Sequence, residues 1–170
     1  HAQVLDAFEQ RWASGSDDCL VIVGKEGWRE LPDSQRRDIP ATVKRLRNHP
    51  ERHQRLFWLD ALTDAELETL YRQAHGLIAA SEDEGYGLPV VEAAARDLPV
   101  LARDIPVFRE VAPAGTRFFT GMDGEALAAA MDAWATGVEP VSGQEAELAP
   151  MSWRESAEAL WIRLAERLAT

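Results

Sequence analysis

Residues 81–93 read SEDEGYGLPVVEA, and this stretch decides the fold. Its glycines at positions 85 and 87 flank an aromatic residue, which predicts a tight, exposed loop. Pro89 fits the first turn of a helix, and the apolar run Leu77–Ala80 just upstream predicts a buried strand. The stretch is therefore predicted to join a strand to a helix. Backbone N–H groups at the loop and helix start would point outward, an arrangement that attracts a diphosphate.

Apolar runs alternate with amphipathic stretches on both sides of this unit. Further strands are predicted at Cys19–Val23, Arg55–Leu59, Pro99–Ala102 and Arg117–Phe119. Helices are predicted at Ala2–Trp12, at Ala41–Arg47, from a capping box at Thr63, at Pro106–Val111, after Asp123, and from a second capping box at Ser152. Residues 137–150 predict a long polar loop. The alternation predicts one α/β domain over residues 1–170, with a Rossmann-like parallel sheet and helices on both faces.

Two glutamates are the candidate ligand-binding side chains. Ligands bind such sheets at the carboxyl ends of the strands, which is where the loop after Ala80 lies. Glu84 is on that loop, and Glu92 follows eight residues later near the helix start. Carboxylates accept hydrogen bonds from vicinal hydroxyls such as those of ribose, so the pair is predicted to contact the two ends of a nucleotide sugar. Alternatively, Glu92 only complements the helix dipole and the glycines form an ordinary turn.

The composition restricts the class of function. A formal net charge of −11 argues against a nucleic-acid partner, because phosphate backbones need a basic surface. No apolar run approaches the roughly 20 residues of a transmembrane helix, and no leader peptide is visible. The histidines show no metal-ligand spacing, so no metal site is predicted. Cys19 lies in an apolar run and Trp161 on an apolar helix face, so both are predicted to be buried.

Three segments resemble a known family. They read LVIVGKEGW (20–28), RLFWLDALTDAELETLYRQAHGLIAAS (55–81) and EGYGLPVVEAAARDLPVLARDIPVFREV (84–111). The last segment resembles the glutamate–seven-residue–glutamate motif of retaining glycosyltransferases with the two-lobed GT-B architecture, specifically the large family four. Within that family, GKxGW and ARDIPVFRE are most similar to mannosyltransferases that build O-antigen or capsular chains. The resemblance covers most of the chain.

The resemblance implies a C-terminal, donor-binding lobe that lacks its first strand. Glu84 would be the catalytic residue, in contact with the transferred sugar, and Glu92 would hold the ribose. The other predicted donor-binding residues lie on two loops and a strand end: Gly85, Tyr86, Gly87, Leu88, Lys25 and Leu59. The backbone of residues 85–88 would meet the sugar and diphosphate, and the strand end at residues 58–62 would lie against the base.

The implied reaction is transfer of mannose from GDP-mannose, with retention, to a growing polysaccharide or lipid-linked glycan. No cofactor, metal ion or protein nucleophile is expected. The acceptor would bind through an N-terminal lobe that is missing from this sequence. We therefore expect a fragment, inactive by itself, of a cytoplasmic enzyme or of one resting on the inner membrane.

One departure from the family concerns the cations. The family has a basic pair for the diphosphate just before the first helix of this lobe, and the sequence begins at that helix. Lys25 is the nearest cation that could contact the diphosphate; the alternative is a solvated loop lysine, since lone charges usually lie in water. Arg103 and Arg109 follow a strand end, and whether they face the cleft stays open.

Two other functions fit the same architecture. One is a nucleotide-sugar 2-epimerase or a phosphorylase-type enzyme, and the other is a non-catalytic lobe that scaffolds polysaccharide assembly. The intact pair Glu84 and Glu92 argues against a degenerate scaffold.

Overall fold

The structure, a computed structural model, describes residues 1–26, 32, 38–137, 158 and 161. Its elements, in chain order, are α1 (Ala2–Ala13), β1 (Leu20–Val23), α2 (Ile39–Asn48), β2 (Leu56–Leu59), α3 (Asp64–Gln73), β3 (Leu77–Ala79), α4 (Leu88–Ala94), β4 (Val100–Arg103), α5 (Pro106–Val111), β5 (Arg117–Phe119) and α6 (Gly124–Ala135). Every strand and helix predicted before residue 137 is present. The predicted loop at 137–150 and the helix from Ser152 lie outside the described residues, apart from Gly137 and two positions in that helix.

The strands pair in two parallel groups. Strand β1 pairs with β2, with Leu20 opposite Leu56, while β4 lies between β3 and β5 in the second group. Each parallel neighbour is reached through a helix, as parallel pairing requires. The prediction of one parallel sheet is therefore confirmed in strand direction, although no ladder of backbone hydrogen bonds joins the two groups within the described residues.

Side-chain packing joins the two groups of strands. A first core cluster contains residues of both groups, including Leu20, Leu56 and Leu101, packed with Leu5 of α1 and Leu127 of α6. Because this cluster excludes water from both groups at once, it holds them in one hydrophobic core without shared backbone hydrogen bonds.

Strand β4 shows that helices cover both faces of the sheet. Its residue Leu101 belongs to the first core cluster, under α1 and α6. Its neighbours Val100 and Ala102 belong to a second core cluster, under α4 and α5, with Val90 and Phe108. Since successive side chains of a strand point to opposite faces, β4 is buried on both, as the uninterrupted apolar run predicts.

Local signals in the sequence account for the helix starts. Thr63 caps α3 through a complete capping box with Glu66, and the Asp123 carboxylate accepts a hydrogen bond from the Ala126 N–H at 2.8 Å at the start of α6. Two predictions of burial are wrong: Cys19 is exposed, and Trp161 is 73% exposed. No helix in the described part of the chain is long and apolar enough to cross a bilayer.

Candidate functional site

The loop between β3 and α4 carries the predicted site. Gly87 is the N-cap of α4 and has a φ of 74°, in the left-handed region that favours glycine. A Cβ at this position would also lie 3.2 Å from the Val111 side chain and 3.3 Å from Phe108. Gly87 is therefore required both by backbone conformation and by the close approach of α5. Gly85 has open space around it and no positive φ, so the prediction of a special conformation holds only for Gly87.

The loop exposes both apolar side chains and backbone donors. Tyr86 is 48% exposed and Leu88 is 49% exposed, although both are large and apolar. The backbone N–H groups of residues 85–87 donate no hydrogen bond to any described residue. A run of N–H groups without a protein acceptor, beside exposed apolar surface, can bind a ligand that is anionic and partly apolar.

Glu84 lies half-buried in this loop. Its backbone N–H donates to the Asp83 carboxylate at 3.0 Å, a short-range contact that tightens the turn. Within the residues that the structure describes, the Glu84 carboxylate makes no hydrogen bond or ion pair. Its oxygens are available to a ligand.

Glu92 lies on the exposed side of α4. The helix begins at Leu88, so Glu92 is its fifth residue, and no acidic residue lies in the first turn. Glu92 thus lies near the helix start, as predicted, but one position beyond its first turn. Because the dipole effect falls off within the first turn, dipole complementation is the weaker explanation for this glutamate. Its Oε2 instead accepts a hydrogen bond from the Tyr71 hydroxyl at 2.9 Å.

Lys25 and Leu59 both lie at the carboxyl end of the β1–β2 pair. The Gly24 N–H donates to the Leu59 carbonyl at 2.9 Å, and the Trp58 indole N–H donates to the Gly24 carbonyl at 2.8 Å. These bonds hold the loop that carries Lys25 against the end of β2. Lys25 is exposed and makes no hydrogen bond or ion pair with the described residues. Among the described residues, no hydrogen bond or ion pair joins Lys25 or Leu59 to the Glu84 loop. A common role of Lys25, Leu59 and Glu84 in binding a donor therefore stays a prediction.

Comparison with known proteins identifies the family. The family described as "Glycosyl transferases group 1" matches residues 1–140, which include the whole unit from β3 to α4. This chain belongs to that family. The resemblance predicted from the motif at residues 84–92 is thereby confirmed.

Curated relatives of this group 1 chain are named as mannosyltransferases. Two Escherichia coli proteins, each called "Serotype-specific mannosyltransferase WbdA", are 40% identical to it over 161 residues, or 94% of the chain. The "O-antigen chain mannosyltransferase RfbU" of Salmonella typhimurium strain LT2 is 35% identical over 83 residues, which cover 49% of the chain and 24% of that protein. The chain spans about a fifth of the WbdA proteins, at 19% and 18% of their lengths.

Two arginines of the group 1 chain are engaged by other protein groups. Arg103 is only 5% exposed, and its guanidinium donates to the backbone carbonyls of Ala80, Ser81 and Gly121. Arg109 pairs with Asp104, with Nε 2.7 Å from Oδ1 and Nη2 2.9 Å from Oδ2. Hydrogen bonding to Arg109, more than the opposite charges of the two side chains, holds the pKa of Asp104 below its ordinary value, although burial raises that pKa. Arg103 therefore holds the segment that leads into the Glu84 loop, through the backbone carbonyls of Ala80 and Ser81.

Tyr71 contacts the predicted site residue Glu92, and the sequence did not indicate this contact. The periodicity of α3 places it among apolar positions, and its ring does pack against the second core cluster. Burial, together with the hydrogen bond to Glu92, raises the pKa of Tyr71, so its hydroxyl stays a donor across the physiological range. Tyr71 is half-buried, and a phenol on an otherwise apolar helix face is a usable signal, because its hydroxyl seeks a hydrogen-bond partner at the edge of that face.

The described residues offer no group that could bind a metal ion, and a surface depression lies elsewhere in the molecule. In the described ranges, no three His, Cys, Asp or Glu side chains come together as a group that could hold a metal ion. A depression of about 340 Å³ lies between α1 and α6, and none of its lining residues is a predicted site residue.

Proposed function

We propose that this chain is the donor-binding lobe of a retaining glycosyltransferase that transfers mannose from GDP-mannose to a growing polysaccharide or lipid-linked glycan. The observation that carries the proposal is the Glu84–Glu92 loop and helix at the carboxyl end of β3, in a chain of the glycosyl transferases group 1 family. The choice of mannose rests on the names of the relatives, two of which are serotype-specific mannosyltransferases.

The proposal assigns a role to each part of the loop. The Glu84 carboxylate, which has no partner in the described structure, would contact the transferred sugar and is the proposed catalytic residue. The backbone N–H groups of residues 85–88 would meet the diphosphate, as such groups do in other anion sites. The exposed carboxylate of Glu92 would accept hydrogen bonds from the ribose hydroxyls.

Residues at the carboxyl end of the β1–β2 pair would supply the remaining contacts. Leu59 lies at the end of β2, where an apolar side chain could pack against the base. Lys25 is exposed on the adjoining loop and would approach the diphosphate as a point charge. The acceptor would bind through another part of the full-length protein.

Transfer with retention would proceed by attack on the same face of the sugar from which the diphosphate leaves. The departing diphosphate would help to remove the acceptor proton, and the proposal needs neither a protein nucleophile nor a metal ion. Turnover should then be unchanged when EDTA is present at millimolar concentration.

Calorimetry with the full-length protein tests donor binding. We expect GDP to bind more tightly than UDP, ADP or dTDP, and GDP-mannose to yield a new glycosidic bond. The products must be identified, because epimerised free sugar or phosphorolysis would indicate a different enzyme on the same fold. Binding of none of the four nucleotides would contradict the proposal.

Substitutions separate the two glutamates from their acidic neighbours. Glu84→Ala and Glu92→Ala should each lower turnover by about 100-fold, since small losses of positioning cost that much. Glu82→Ala is the matched control, because it removes an exposed carboxylate from the same loop, and it should keep most of the turnover. If both glutamate variants turned over as fast as the control, the site would be wrongly placed.

A further inference from the structure

A small network of polar side chains joins α3 to α4 beside the loop. The Tyr71 hydroxyl donates to Glu92 Oε2 at 2.9 Å. The Arg96 guanidinium lies over the Tyr71 ring, 4.8 Å from its centroid, and donates through Nε to Glu68 Oε2 at 2.7 Å. Through Nη1 it also donates to the Glu92 backbone carbonyl at 2.7 Å. We call these four residues the α3–α4 network.

Within this network, only the Tyr71 hydroxyl constrains the Glu92 carboxylate, and it constrains one of the two oxygens. An exposed glutamate normally samples several rotamers, and a ligand that binds it must restrict them. Here the hydrogen bond from Tyr71 restricts Oε2, whereas Oε1 has no partner among the described residues. An acceptor that is already oriented binds a ligand at a smaller cost in side-chain entropy.

Tyr71 is itself well placed to restrict Glu92. Its ring packs against the second core cluster and under Arg96, so the position of the hydroxyl is set by packing on both sides. No hydrogen bond among the described residues joins Tyr71 to the loop backbone at residues 85–87, so the effect of Tyr71 on a ligand would pass through the Glu92 carboxylate.

We propose that Tyr71 is a positioning residue for the nucleotide site, whose hydroxyl orients Glu92 to accept hydrogen bonds from the vicinal hydroxyls of a ribose. This inference rests on the proposed function, because it takes Glu92 as the ribose contact. A purely structural role for Tyr71, as a link between α3 and α4, is the competing explanation. The two differ in whether the effect of removing the hydroxyl depends on the ligand.

The experiment is a double-mutant cycle on the full-length protein with two probes, GDP and 2′,3′-dideoxy-GDP. The variants are Tyr71→Phe, which keeps the ring under Arg96, Glu92→Ala, and the two together. Tyr71→Phe should weaken GDP binding by about 5-fold, the usual worth of one hydrogen bond, and leave dideoxy-GDP binding unchanged. In the Glu92→Ala background, Tyr71→Phe should have no further effect on either probe.

Glu68→Gln is the matched control. It weakens the ion pair between Glu68 and Arg96 in the same network without touching the Tyr71–Glu92 hydrogen bond. The affinity for both probes should stay at the wild-type value. The melting temperature of each variant is measured alongside, so that a general loss of α3–α4 packing is recognised.

The outcomes separate this inference from the function on which it rests. If Tyr71→Phe weakened both probes equally, or added its full effect to that of Glu92→Ala, positioning would be refuted while the donor site stood. If GDP failed to bind, or if Glu92→Ala did not reduce the preference for GDP over dideoxy-GDP, the ribose assignment would fail and Tyr71 with it.

Discussion

Replacing Arg103 by methionine should lower the free energy of unfolding by about 3 kcal/mol. The Arg103 guanidinium is buried at the point where the Glu84 loop leaves β3. Its Nε lies 3.1 Å from the Ser81 carbonyl and its Nη2 lies 3.2 Å from the Ala80 carbonyl, and Nη1 donates to the Gly121 carbonyl on the far side. It thus links the segments that follow β3 and β5.

The magnitude follows from these three carbonyl oxygens. Each loses a charged donor when methionine replaces arginine, and such hydrogen bonds contribute about 1.5–3 kcal/mol each. The sum is about 5 kcal/mol at the lower end of that range. Removal of a buried cation offsets part of it, by roughly 2 kcal/mol, because its desolvation is no longer needed. The Arg103 guanidinium also lies over the Phe119 ring, 5.1 Å from its centroid, and methionine replaces this cation–π contact by an apolar one of similar size.

Urea denaturation, followed by tryptophan fluorescence, measures this difference. Trp12 is buried in the first core cluster and should report global unfolding. Arg72→Met is the matched control, because Arg72 is mostly exposed and, among the described residues, forms an ion pair with Glu68 across one turn of α3 and with no other residue. The control should leave the free energy of unfolding within experimental error. A loss below about 1 kcal/mol for Arg103→Met, with an unchanged denaturant slope, would refute the view that Arg103 satisfies these carbonyls.

Two further predictions concern packing and pH. Gly124→Ala should lower the free energy of unfolding by about 1–3 kcal/mol, because a Cβ there would lie 2.5 Å from the Asp6 Cβ where α6 meets α1. Gly85→Ala is the control in the same denaturation assay, and it should leave the free energy of unfolding unchanged because its Cβ would meet open space. The lowered pKa of Asp104 should add to the free energy of unfolding in full above pH 3.8, the ordinary pKa of an aspartate, and this contribution should be lost as the pH falls below that value. The difference in free energy of unfolding between the wild type and Asp104→Asn should therefore shrink below pH 3.8. A difference that stayed constant down to pH 2 would contradict this prediction.

Local patterns carried most of the fold prediction. Apolar runs and helical periodicity are short-range properties, and they located every strand and helix before residue 137 within a few residues. The caps at Thr63 and Asp123 were predictable for the same reason, since a cap and its partner lie three residues apart. Burial was less predictable: Cys19 flanks a buried strand but is itself exposed. Apolar neighbours in sequence do not decide which residue the tertiary packing covers.

The candidate site divides in the same way. Its motif, from Glu84 to Glu92, is contiguous in the chain, so the sequence alone determined that both carboxylates belong to one loop and helix after β3. The partners of that motif come from elsewhere in the chain. Tyr71 is 21 residues before Glu92, and Arg103 is 22 residues after Ser81.

Only the tertiary structure decided that the Tyr71 hydroxyl donates to the Glu92 carboxylate. It also decided that the Arg103 guanidinium is buried and donates to the backbone carbonyls beside the Glu84 loop. A parallel sheet brings together helices and strand ends that are separated in sequence, and the distance between their side chains depends on how the crossovers pack. No spacing in the sequence encodes that distance, because it is set by the shared core.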